Sequence, residues 1–170
     1  MPASRAASSG DGRYRGPERR GSAGLELTVR RLTALTDAAA AMVHATTIEE
    51  VGGIAVRAGV EAVGAGGGTV AVLDEATSRL VLTSTDSYSA ALRGGFRELP
   101  LEAGLPLCHA ARTGERLLLS DRESALARFP DVAAHQQLSD TGGEPLVAAA
   151  VLPLRVRMDG PVLGSLAVTW

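Results

Sequence analysis

A chain of 170 residues with 45% hydrophobic and 21% charged side chains can bury a core without disulfides or metals, and is too apolar to be disordered throughout. A net charge of −2 and only 3% aromatic residues argue against a nucleic-acid surface, and because all 17 basic residues are arginine, lysine-dependent chemistry is excluded. The single cysteine, Cys108, rules out an internal disulfide; the longest apolar run, Leu146 to Leu154, is far short of a membrane span, and no apolar signal segment follows the N-terminal arginines, so a cytoplasmic setting is expected.

Residues 1–24 hold Arg5, Arg13, Arg15, Arg19 and Arg20 against Asp11 and Glu18, with almost no bulky apolar side chain. Such a stretch cannot offset its ordering entropy by burial, so a disordered tail is expected there, with one domain over 25–170. From Leu25 onward the pattern becomes helical. Leu32, Leu35, Ala39 and Met42 recur at spacings of three and four, with Leu25 and Thr28 on the same seam. The stripe is too short to define a coiled coil. It suits a dimer seam and a helix packed on its own sheet equally.

Thr47 with Glu50, or Thr46 with Glu49, forms a capping box that opens a second helix carrying Val51, Ile54, Ala55, Ala58 and Ala62. Gly64 to Gly68 ends it. This glycine run leads from helix into strand, the reverse of a phosphate loop, and reads as a linker. Thr69–Asp74 and Leu80–Thr85 form a hairpin; Asp86–Gly95 is a loop; Phe96–Leu101 is a short strand. Leu105–Thr113 is a short helix capped by Gly114, and Arg116–Ser120 is a fourth strand. Asp121–Glu144 has helical character around 125–128 and 132–138, and a segment of that length outside a sheet is often a lid or binding loop. Val147–Val156 and Val162–Thr169 form a second hairpin around Asp159-Gly160. Pro153 marks an edge or bulge, and Gly164 a close backbone approach. The order predicts an α+β fold with an antiparallel sheet.

Three stretches then carry a family resemblance. The first is 32–74, with Ala62-Val63-Gly64-Ala65 and Leu73-Asp74. The second is Leu99-Pro100-Leu101-Glu102-Ala103-Gly104-Leu105-Pro106-Leu107, followed by Ala110-Ala111-Arg112-Thr113-Gly114-Glu115 and Leu117-Leu118-Leu119-Ser120-Asp121. The third is Val151-Leu152-Pro153-Leu154, then Gly160, Val162-Leu163-Gly164 and Ser165-Leu166-Ala167-Val168. In this order and spacing the chain resembles the GAF family. The resemblance implies a six-stranded antiparallel sheet, PAS-like, with N-terminal helices on one face and loops and short helices enclosing a pocket on the other. It implies a non-catalytic sensory or dimerising domain, the front end of a signalling protein that regulates a fused or partner kinase, phosphatase or cyclase. Family members usually close with a helix beside the first one. The sequence ends at Trp170, so an exposed apolar strip near Leu32 and Leu35 and marginal stability are expected.

The ligand stays unknown, and no membrane or nucleic-acid partner is expected. The cyclic-nucleotide subfamily uses a lysine that this chain lacks. Bilin-binding members attach pigment at a Cys-His pair; Cys108-His109 copies it, but Gly114 follows too soon and the flanking aromatics are absent. His44, His109 and His135 lie on separate elements, which argues against haem or zinc. Free methionine sulfoxide reductases of this fold relay through several cysteines, and one cannot resolve itself. Cys108 and His109, as neighbours on a helix, point about 100° apart and do not form a dyad. The candidate ligand-binding residues are Ser87, Tyr88, Cys108, His109 and Phe129. A ligand-free scaffold is the alternative, and a thiol-dependent enzyme using Cys108 ranks last.

Overall fold

The computed structural model describes residues 18–86, 97–134 and 148–170. Two helices lead, α1 (Glu18–Met42) and α2 (Ile48–Val63). The first starts ahead of Leu25: residues 18–24, placed with the tail on composition, continue the helix, and the Glu, Arg and Ala among them are good helix formers. Of the two candidate capping boxes, the one at Thr47 forms. The Glu50 amide donates to Thr47 Oγ1 at 3.1 Å, and the Glu50 carboxylate accepts from the amides of Thr46 at 2.7 Å and Thr47 at 3.2 Å. Those donors, the Thr46 amide foremost, hold the Glu50 carboxyl below its ordinary range. Gly64, at φ +64, ends α2.

The strands are β1 (Gly67–Asp74), β2 (Arg79–Asp86), β3 (Glu98–Pro100), β4 (Leu117–Leu119), β5 (Ala149–Arg155) and β6 (Val162–Thr169), in one antiparallel sheet of order β3-β2-β1-β6-β5-β4. The expected α+β architecture is therefore present. Gly67 and Gly68 open β1 instead of linking to it. A Cβ on Gly68 would come within 3.0 Å of the Ala167 carbonyl and of Val60, so bare backbone here lets α2 lie down on the sheet. Val56, fully buried, is the centre of that contact, which spans chiefly β1 and β2. In turn α1 packs on α2: Ala34 is buried, and Arg31 Nε donates to the Ala62 carbonyl at 2.9 Å. Its other side faces outward, with Leu32 and Leu35 more than half exposed.

The opposite face of the sheet carries the main core. Helix α3 (Pro106–Thr113) lies over β5 and β6, and α4 (Arg122–Arg128) sits against β4. Ala71, Leu80, Leu117, Val151 and Ala167 from the strands meet Leu105, Cys108, Ala111, Phe129 and Val132 from above. Both irregularities expected in the last hairpin are present. At Gly164 (φ +156) a side chain would collide with the Ala71 carbonyl across the β1–β6 pair. Pro153 pairs only with β6, because β4 stops at Val151, so its missing N–H faces an open edge.

Candidate functional site

The site is assembled where α3, α4 and their loops cover the sheet. Pro106 sits in the first turn of α3, where its absent N–H is harmless, and Gly114 ends the helix at φ +71. Within this short helix Cys108 points inward and is fully buried, while His109 turns toward the rim. Burial pushes the Cys108 thiol up to about 11, with nearby Arg112 opposing the shift. At neutral pH this burial favours the protonated thiol, packed in the core.

His109 joins a four-residue cluster. Its Nε2 lies 3.0 Å from Glu115 Oε2, and its ring meets Phe129 edge-on, with centroids 5.5 Å apart and planes at 71°. Arg128 approaches the same two residues from α4: Nη2 donates to Glu115 Oε2 at 3.4 Å, and the guanidinium carbon stands 5.4 Å from the Phe129 centroid. The Glu115 carboxyl is held low, first by the His109 hydrogen bond and then by Arg128. Asp121 places α4 by accepting from the Ser124 amide at 2.8 Å, and the Phe129 amide closes the helix on Ala125 at 2.8 Å.

Two further ties fix this cover. Asp131 Oδ2 accepts from the Gly104 amide at 2.7 Å and joins the helical residues 131–134 to the loop before α3. Half-buried Arg155 on β5 donates to the carbonyls of Gly160 at 2.8 Å and Gly114 at 3.4 Å, clamping the β5–β6 hairpin to the end of α3. A side chain on Gly114 would collide with that guanidinium. Beneath α3, Ser165 shares a sheet face with its register partner Ala71 and with Ala167. It is fully buried, and among the described residues its hydroxyl has no hydrogen-bond partner.

Of the residues singled out in the sequence, Cys108, His109 and Phe129 come together. Cys108 and Phe129 lie in one buried cluster with Leu105 and Val132, and His109 edges onto Phe129. Ser87, Tyr88 and His135 lie outside the described residues. His44 is exposed just past α1, far along the chain from the others. Among the described residues, no three His, Cys, Asp or Glu side chains are grouped as a metal would require. The sequence reading did not single out Glu115, Arg155 or Ser165 as site residues. Only Ser165 left a signal, as the lone hydroxyl in the apolar strand Val162-Leu163-Gly164-Ser165-Leu166-Ala167-Val168.

A single antiparallel sheet, with α2 on one face and short helices closing the other, defines the class. The family model described as GAF domain matches residues 45–170, and the chain belongs to the GAF domain family. Such domains are generally sensory or regulatory. Solved structures agree on the fold. The GAF domain of a phosphoenolpyruvate-protein phosphotransferase from Coxiella burnetii is 20% identical, with a TM-score of 0.62 over 83% of this chain and 77% of that one. The corresponding Acinetobacter domain is 18% identical, with a TM-score of 0.62 over 82% and 75%. A free methionine-R-sulfoxide reductase from Neisseria meningitidis, solved with its substrate, is 15% identical, with a TM-score of 0.56 over 84% and 72%. No curated protein matches the sequence. Among the described residues no helix is long and apolar enough to cross a membrane.

Proposed function

We propose that this GAF domain is a regulatory module without chemistry of its own. It takes a small uncharged molecule against the sheet face beneath α3 and conveys occupancy through pairing of two copies along α1 to a fused or partner kinase, phosphatase or cyclase. The unsatisfied hydroxyl of Ser165 carries this reading. A buried hydroxyl with no partner costs about 1–3 kcal/mol, and proteins rarely keep such a group without a use. Its sheet-face neighbours Ala71 and Ala167 are apolar, which favours an uncharged ligand over a charged one there. The raised thiol of Cys108 supports a non-catalytic role, and a lone free thiol suits a cytoplasmic setting. The outward Leu32, Leu35 and Ala39 support pairing along α1, with Met42 partly covered at the end of the stripe.

A ligand-free relay is the second reading, favoured by the burial of Phe129 and Val132 in the same cluster as Cys108. Native mass spectrometry, run beside a denatured sample, separates the two. The proposal expects a dimer with extra mass that disappears on denaturation and is lost in Ser165→Ala. A bare dimer overturns the sensor and leaves the relay. Mass that survives denaturation means covalent attachment at Cys108 and overturns the reversible site. A bare monomer overturns both readings.

A further inference from the structure

The two central strands carry different side chains on their two faces. Toward α2, β1 presents Val70 and Val72, and β6 presents Leu166 and Val168, the apolar residues that suit the centre of a sheet. Toward α3 the same segments present Thr69 and Ala71, with Ser165 and Ala167 opposite them: Thr69 pairs with Ala167, and Ala71 with Ser165. These four form a square at the middle of the sheet, with hydroxyls at two opposite corners and alanines at the other two. All four are buried. Bulkier side chains flank them, Leu82 beside Ala71, Val151 beside Ala167 and Pro153 beside Ser165, so the square is the low point of the floor.

Small residues under a helix do not by themselves make a site; the hydroxyls are what point to a ligand. Ser165 is fully buried and Thr69 is 4% exposed. Among the described residues neither side chain makes a hydrogen bond. Other hydroxyls of the same sheet do find partners: Thr83 Oγ1 donates to the Val70 carbonyl at 3.2 Å, and Thr169 Oγ1 to the Gly67 carbonyl at 3.3 Å. A desolvated hydroxyl without a partner carries a cost that alanine or valine would avoid. Here two such hydroxyls stand on one buried square, beneath a helix that adds only Cys108 and Ala111 to the same core.

We infer that Thr69 and Ser165 are a two-point recognition pair for a small neutral molecule that carries two hydrogen-bonding groups on one compact body, as cyclic imides and diamides do. The inference rests on the small-molecule reading above and names the class of ligand. Diagonal positions on adjacent strands lie about 7–8 Å apart. A molecule seated above the square and bonded to both hydroxyls at about 2.8 Å must then hold its two polar atoms roughly 4–5 Å apart, the separation of two carbonyl oxygens on a six-membered ring. Each hydroxyl can donate or accept, so the pair takes carbonyl oxygens as well as N–H groups. Ala71 and Ala167 offer the ring apolar surface at the other two corners, which favours a neutral body over an ionised one.

Small probes test it on the full chain, stripped of any bound molecule, by heteronuclear NMR titration with circular dichroism as a check that each variant folds. Glutarimide has two ring carbonyls, 2-piperidone has one, and glutarate carries two charges on an open chain. Glutarimide should bind roughly tenfold more tightly than 2-piperidone, the effect of one added hydrogen bond, and glutarate should not bind. Thr69→Val and Ser165→Ala should each reduce glutarimide to the affinity of 2-piperidone. If Ser165→Ala weakens both cyclic probes and Thr69→Val weakens neither, Ser165 is the sole anchor: the two-point inference falls and the small-molecule reading stands. If the cyclic probes bind alike, or neither binds, the inference is refuted, and the mass carried by the native protein decides the small-molecule reading separately. Glutarate binding above both overturns the inference together with the neutral ligand it rests on.

Discussion

Replacing Ser165 with alanine removes one oxygen from the floor beneath α3 and leaves the Cβ and the backbone pairing to Ala71 and Pro153 in place. In ligand-free protein the hydroxyl is desolvated and unpaired, at a cost of about 1–3 kcal/mol. Against this, the lost oxygen forfeits a few dispersion contacts, on the order of a few tenths of a kcal/mol. The variant should therefore be more stable by about 1 kcal/mol, which for a chain of this size raises the melting temperature by roughly 2–4 °C. Thermal and urea unfolding of protein stripped of any bound small molecule measure this directly, and an unchanged urea m-value confirms that the native state alone was altered. The sign is the point. Loss of 1 kcal/mol or more on removing the hydroxyl would mean that it is hydrogen-bonded in the stripped protein, and the argument from its isolation would collapse.

Gly164→Ala places a methyl group against the Ala71 carbonyl and should destabilise by about 3 kcal/mol, whereas Gly59→Ala, whose added methyl meets only Val168 at 3.8 Å, should stabilise by about 0.5–1 kcal/mol; urea titrations of equal or reversed sign would refute the packing assigned to the two glycines. Because folding lifts the Cys108 thiol from 9.0 to about 11, the unfolded chain releases this proton first, so stability should fall as pH rises through that window, and Cys108→Ala should flatten the fall. A thiol reagent should likewise label Cys108 only on unfolding. The Glu115 carboxyl is lowered on folding, so its contribution is present above the ordinary carboxylate range and lost as pH falls through the folded value; Glu115→Gln should shrink the acid-side loss seen in urea midpoints between wild type and variant.

Local chemistry was readable in the sequence. The Thr47–Glu50 box, the caps at Gly64 and Gly114, the open edge at Pro153 and the close approach at Gly164 all follow from rules that act within a few residues, and each is where the pattern put it. Glycine misled where its role is tertiary. Gly67 and Gly68 look like linker because a strand gains nothing locally from them; their use is the approach of α2, which no local pattern reveals. The early start of α1 was hidden by an Arg- and Gly-rich composition that resembles a tail. At the site, Cys108, His109 and Phe129 were legible as residues but not as a cluster, because Glu115 and Arg128, which join α3 to α4, are polar positions with no periodic signature. Arg155 was invisible for the same reason: its partners, Gly114 and Gly160, are backbone carbonyls.

The strand order has a consequence for how the molecule is made. β6, the last strand in sequence, is inserted between β1 and β5, so on the ribosome the β1–β2–β3 half and the β4–β5 half have no seam until residues 162–169 emerge. Until then α2 has an incomplete floor and the core beneath α3 lacks Ser165 and Ala167. Folding of the nascent domain thus waits on the synthesis of β6, at about 5–20 residues per second, and a chain stalled before it would present two unsealed sheet edges to whatever chaperone meets it.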